Sequence, residues 1–97
     1  MSTPAQRPVA VIGAGSIGLA FALVFARAGR AVRLYDVDRE RLRAVPEALG
    51  ARLADLAAFD LLDEAPAEIA RRITATAELA ASVRDAGYVQ ELSLIHI

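Results

Sequence analysis

The sequence predicts an α/β fold, a doubly wound parallel sheet of which this chain carries the first half, in the order β-α-β-α-α-β-α-β. Three observations lead there. The apolar run Val9-Ala10-Val11-Ile12 passes directly into Gly13-Ala14-Gly15-Ser16-Ile17-Gly18 and then into a helix-forming stretch. A second run, Ala31-Val32-Arg33-Leu34-Tyr35, ends on a lone acid, Asp36. Beyond it, helical spacing of apolar residues gives way to two short strand-like segments. Uninterrupted apolar strands separated by helices are the signature of a parallel sheet covered on both faces and joined by right-handed crossovers.

The elements follow in order. Val9 to Ile12, β-branched and continuous, predicts the first buried strand. Ser16 to Arg27 predicts a helix stopped by Gly29, with Arg27 and Arg30 near its negative end. Its faces are almost all apolar, so cover is expected on two sides, by the sheet and by something else. Val32 to Tyr35 predicts the second strand. From Asp38, a plausible N-cap, Leu42, Val45, Leu49, Leu53 and Leu56 recur at spacings of three and four as one stripe. Pro46 interrupts it, at a cost of about 3 kcal/mol to a straight helix, so a break near Val45 is expected. The charges between Asp38 and Asp55 read as a solvated face. Pro66 opens a short helix through Arg72, Ile73 to Thr76 predicts a third strand, Glu78 to Arg84 a helix, and Tyr88 to Glu91 a fourth strand.

The glycines explain what the first turn is for. Gly13 allows a sharp turn off a buried strand, Gly15 lets the backbone approach a pyrophosphate, and Gly18 allows close packing of helix on strand. The helix then directs free N–H groups at the phosphates. Asp36 lies 18 residues after Gly18 and 21 after Gly15, close to the spacing of about 20 at which an acid meets the adenosine ribose. Its carboxylate would accept from the ribose hydroxyls and repel a 2′-phosphate, which favours NAD over NADP. Arg33 and Arg39 are near in sequence but do not relieve that clash. The cofactor-binding residues are therefore Gly13, Ala14, Gly15, Ser16, Ile17, Gly18, Asp36 and Val37. This is the Rossmann-type dinucleotide fingerprint, and the cofactor expected is NAD.

Bulk properties narrow the class. A chain of 97 residues has room for one βαβαβ half and the start of the next, which suggests a fragment. The hydrophobic share of 56% exceeds the usual 45–50% or about that. All 11 basic residues are arginine, a bias that reads as a GC-rich coding sequence. A net charge of −1 with scattered charges argues against nucleic acid or an anionic membrane as partner. With no cysteine there is no disulfide framework, thiolate metal site or cysteine nucleophile. Met1 to Pro8 is not a signal peptide, and Ile17 to Ala26 is too short to span a bilayer, so a soluble cytoplasmic protein is expected.

The stretch Val9 to Asp38, with its glycine motif and Leu34-Tyr35-Asp36, resembles the NAD-binding domain of 3-hydroxyacyl-CoA dehydrogenases, in the branch of lambda-crystallin and L-gulonate 3-dehydrogenase. The helical insert, Ile73-Thr74-Ala75-Thr76 and Ala86-Gly87-Tyr88-Val89-Gln90-Glu91 fit the same order, so the resemblance covers residues 9–91. It implies hydride transfer between NAD and the 3-hydroxyl of an acyl-CoA or small hydroxy acid, with a small-molecule substrate and a homodimeric full-length protein. The catalytic His, in a His-Pro context, falls beyond this chain, so no catalytic residue and no metal ligand is assigned. Tyr88 and Glu91 read as strand residues, since no proton acceptor accompanies them at suitable spacing.

After Glu91 the resemblance ends. The family continues to Pro-Glu, whose acid would fall at Ile95. Leu92-Ser93-Leu94-Ile95-His96-Ile97 is instead the translation of CTGTCTCTTATACACATC, an end sequence of a common transposon-based sequencing adapter. Residues 1–91 are thus expected to be a partial NAD-binding domain and 92–97 a non-native tail, which makes His96 non-functional. Ending at Glu91 would uncover a sheet edge and the first helix, so aggregation or partial unfolding is expected of the isolated chain. Two other readings stay open: the N-terminus of an FAD-dependent oxidoreductase, and a non-catalytic NAD-sensing or interaction module. Flavin enzymes usually carry Glu where Asp36 stands and lack the insert from Asp38 to Phe59.

Overall fold

The computed structural model describes residues 7–84 and 86–91. The tail 92–97, with His96, and the first six residues lie outside the described residues. The elements are β1 (Val9–Ile12), α1 (Ser16–Arg27), β2 (Val32–Tyr35), α2 (Arg39–Arg43), α3 (Val45–Ala58), α4 (Pro66–Arg71), β3 (Ile73–Thr76), α5 (Leu79–Val83) and β4 (Tyr88–Glu91). The four strands form one parallel sheet in the order β3-β2-β1-β4. The chain steps outward from β1 to β3 and then reverses to place β4 on the other side of β1. Right-handed crossovers put α1 and α5 on opposite faces under that order. The reversal makes the end of β1 a topological switch point, where such sheets open a crevice for ligands.

Register aligns the strand ends. Ile12 pairs with Tyr35 and Glu91, and Tyr35 pairs with Thr76. The residues after β1 and β2, Gly13 and Asp36, therefore emerge side by side. All of β1 is buried, as a central strand covered on both faces must be, whereas β2 alternates buried Val32 and Leu34 with half-buried Arg33 and Tyr35.

The core lies between the sheet and the α1 side. Val9, Val11, Val32 and Leu34 of the sheet meet Leu19, Ala22, Leu23 and Ala26 of α1, Val45, Leu49 and Leu53 of α3, and Ile69 of α4. The helical insert splits at Ala44 into α2 and α3, one helix more than the expected order, because Pro46 sits in the first turn of α3 where its missing N–H costs nothing. Cover of α1 comes from two sides, as expected: the sheet lies on one and α3 with α4 on the other. Packing against α3 and α4 leaves Ile17 and Val24 each 62% exposed.

Caps set the element ends. Asp38 Oδ1 accepts from the N–H groups of Glu40 (3.0 Å) and Arg41 (3.3 Å), capping α2 as its sequence position predicts. Helix α1 closes in a Schellman motif. The Gly29 N–H donates to Ala26 O and the Arg30 N–H to Phe25 O, both at 3.0 Å, with Gly29 at φ 91°. Helix α3 closes the same way: the Asp60 N–H donates to Ala57 O (3.0 Å) and the Leu61 N–H to Leu56 O (2.9 Å). Here the left-handed position is held by Asp60, at φ 57°. An L-residue is strained there, and a carboxylate opposes the negative helix end. Asp60→Gly is expected to stabilise the chain by about 1 kcal/mol, read as a rise of roughly 4–8 °C in Tm. An unchanged or lower Tm would mean that Asp60 carries a compensating contact.

At the far end of α1, Arg72 donates to Ala26 O (2.9 Å) and grips the Glu64 carboxylate with both terminal guanidinium nitrogens, Nη1 and Nη2. The pair ties the end of α4 to the last turn of α1. Hydrogen bonding to Arg72 holds the Glu64 carboxyl below its ordinary value, and the same bond raises Arg72.

Candidate functional site

The Gly13 N–H donates to Tyr35 O at 2.7 Å, and Gly13 then turns at φ 120°. That backbone region is closed to side chains in practice, so the exit from β1 requires glycine. Ala14 is buried, and its N–H donates to Asp36 Oδ2 at 2.8 Å. This side-chain bond spans 22 residues of sequence and adds to the β1–β2 pairing. Asp36 is 5% exposed, and its other oxygen, Oδ1, accepts from the Asp38 N–H at 2.8 Å. The acid at the end of β2 thus fixes the glycine turn after β1 and the N-cap of α2 together.

Gly15 caps α1 without a side-chain bond, and its carbonyl accepts the first helical hydrogen bond, from Leu19 (2.9 Å). The N–H groups of the first turn have no intrahelical acceptor and carry the positive end of the helix dipole. A Cβ at Gly15 would meet no protein atom within 4 Å. The space beside the turn is open, as close approach of a pyrophosphate demands. Gly18 is buried within α1, Ile17 is exposed, and Val37 is 80% exposed beside Asp36.

Two arginines in the segment expected to be a solvated face turn to this site instead. Arg41 of α2 donates Nη1 to Asp36 Oδ2 at 3.1 Å, with its own side chain about half exposed. Arg52 of α3 donates Nη2 to the Ser16 hydroxyl at 2.8 Å, at the start of α1. A cation at the positive end of a helix is unfavourable alone, and becomes favourable once an anion sits between them. Arg33 goes elsewhere. It donates to Ala81 O (3.2 Å) and Arg84 O, capping the last carbonyls of α5. The one signal that could have found Arg41 and Arg52 is their spacing, since they flank the buried positions Val45 and Leu49 at helical intervals.

Burial pushes the Asp36 carboxyl up, but the bonds from the Asp38 and Ala14 N–H groups and then Arg41 outweigh it, so the group is held below its ordinary value. A carboxylate more acidic folded than unfolded stabilises fully above its unfolded value, near 3.9 or about that, and loses this as pH falls through the folded value. Tm is expected to drop on acidification below about pH 4, and more steeply than in Asp36→Asn. Parallel Tm–pH curves for the two proteins would remove Asp36 from acid stability.

Among the described residues, no group of three or more His, Cys, Asp and Glu could hold a metal ion, and no helix is long and apolar enough to cross a membrane. Residues 8–94 match the family model described as 3-hydroxyacyl-CoA dehydrogenase, NAD binding domain. A lambda-crystallin homolog of Rattus norvegicus is 34% identical over 56 residues, 58% of this chain and 18% of the relative. A glycerol-3-phosphate dehydrogenase [NAD(P)+] of Thioalkalivibrio sulfidiphilus is 54% identical over 43 residues, 44% of this chain and 13% of the relative. The crystal structure of 3-hydroxybutyryl-CoA dehydrogenase from Escherichia coli superposes with a TM-score of 0.82 at 28% identity, over 94% of this chain and 19% of that one. The chain thus spans less than a fifth of each of these three proteins.

Proposed function

Since the chain belongs to the 3-hydroxyacyl-CoA dehydrogenase family, within its NAD-binding domain, we propose that it is the cofactor-holding portion of a dehydrogenase that oxidises a 3-hydroxyacyl-CoA or a small hydroxy acid. The cofactor is NAD, which in such a reaction accepts the hydride leaving the hydroxyl-bearing carbon. A family model of NAD-binding domains also answers the flavin alternative.

The observation that carries the proposal is the Asp36 carboxylate, buried at the strand ends and bonded to Ala14 of the glycine turn. In this reading Asp36 receives the adenosine ribose, Val37 offers an apolar surface to the adenine, and Gly13 to Gly18 with Ser16 and Ile17 surround the pyrophosphate. Arg52, already at Ser16, adds positive charge there. None of these groups takes up the substrate hydroxyl proton, so this chain binds cofactor without turning over substrate.

The proposal extends to the whole protein: a cytoplasmic homodimer of fatty-acid or hydroxy-acid metabolism, with residues 1–91 native and 92–97 adapter-derived, taking neither nucleic acid nor membrane as partner. The deciding experiment resequences the source locus across the Glu91 codon with primers outside the present read, then assays the complete product. A frame running on into Pro-Glu and a later His-Pro, with NADH formed from a 3-hydroxyacyl-CoA, supports the enzyme. A genuine stop after Ile97 overturns it and leaves an NAD-sensing module.

A further inference from the structure

We propose that Arg41 sets how strictly this site separates NAD from NADP, by placing a guanidinium where the ribose 2′ substituent of the cofactor must lie; the inference rests on the NAD-binding reading above. A carboxylate offers about four acceptor positions, two on each oxygen. On Asp36, Oδ2 takes the Ala14 N–H and Arg41 Nη1, and Oδ1 takes the Asp38 N–H. Ala14 and Asp38 donate from main chain that the turn and the α2 cap hold in place. Arg41 alone among these partners is a half-exposed side chain able to leave.

A ribose diol that donates both hydroxyls to Asp36 needs two acceptor positions, and one is open while Arg41 stays. The ribose therefore either displaces Arg41 from Oδ2 or enters between the two side chains, donating to the carboxylate and accepting from the guanidinium. Either way the cation remains within a side chain's reach of the 2′ position.

For a 2′-hydroxyl this placement is nearly neutral. A 2′-phosphate monoester carries a charge of about −1.5 to −2 near pH 7. Facing Asp36 alone it would be repelled, and facing Asp36 with Arg41 it gains a charge-assisted partner. Arg33 cannot substitute, because its guanidinium is committed to the α5 carbonyls. Selectivity is then the difference between repulsion by Asp36 and attraction by Arg41, with NAD favoured and NADP admitted more weakly. The simpler role, a strut holding α2 against the glycine turn, would affect folding and both cofactors in parallel.

The test titrates the complete product of the source locus, Arg41→Ala and Arg41→Gln with NADH and NADPH by fluorescence, at low and high salt, beside thermal melts. Arg41→Ala is expected to weaken NADPH by about tenfold more than NADH, with Arg41→Gln close to it. The NADPH affinity of the unaltered chain should also fall more steeply with salt than that of either variant. An NADH-to-NADPH ratio that stays within about twofold in the variants overturns the proposal while leaving the NAD site standing. Failure of the unaltered chain to bind NADH overturns both. If Arg41→Ala does not melt cooperatively, the ratio in Arg41→Gln decides.

Discussion

Asp36→Ala in the complete protein is expected to weaken NADH binding by about a hundredfold, corresponding to about 3 kcal/mol, while NADPH loses far less or improves. In the proposed site the change removes the acceptor for the ribose hydroxyls and the negative charge that would repel a 2′-phosphate. It also releases Arg41 from its 3.1 Å pair. The same substitution leaves the Ala14 N–H buried without its acceptor, so stability should fall by about 1–3 kcal/mol. Asp36→Asn removes the charge while its amide oxygen can still accept from Ala14, at the cost of the Asp38 N–H bond, so it should keep part of the stability that Asp36→Ala loses. Fluorescence titration with both nucleotides, beside a urea curve, reads all of this. Equal loss of NADH and NADPH in the alanine variant would take Asp36 out of the ribose site.

Leu34→Ala is expected to cost about 2–5 kcal/mol, a large part of the 5–15 kcal/mol or about that which holds a domain folded. Leu34 is fully buried on β2, between β1 and β3, in the cluster that α1, α3 and α4 cover. A cavity there cannot close without moving strands paired on both sides. Because Asp36 follows two residues later, cofactor binding should be lost with the fold. Leu61→Ala serves as the comparison, since Leu61 is 54% exposed and its loss should stay within about 0.5 kcal/mol. Equal urea midpoints for the two variants would place the core elsewhere.

The four strands, the extent of α1, the Asp38 cap and the break beside Pro46 were legible residue by residue, because each depends on signals a few positions wide. Periods of two or 3.6, a residue free to adopt positive φ, a missing N–H and a short capping side chain act on their own neighbourhood. The glycine turn and Asp36 were legible for a related reason: the βαβ unit converts a sequence interval of about 20 into adjacency at the strand ends.

The arginines were not legible in this way. Arg33, Arg39, Arg41 and Arg52 look alike in the sequence, long cations beside polar neighbours. Packing sent Arg33 to the carbonyls of α5, Arg41 to Asp36 and Arg52 to Ser16. The second cover of α1 is a similar case, since an almost wholly apolar helix requires cover without specifying that α3 and α4 supply it. The sequence by itself determined the strands, the turns, the sheet class and the acid placed beside the glycine turn, because these rest on local backbone preference and a topology with fixed handedness. Only the tertiary structure decided which flexible cations surround that residue, because a guanidinium at the end of a long side chain goes wherever distant elements bring an acceptor.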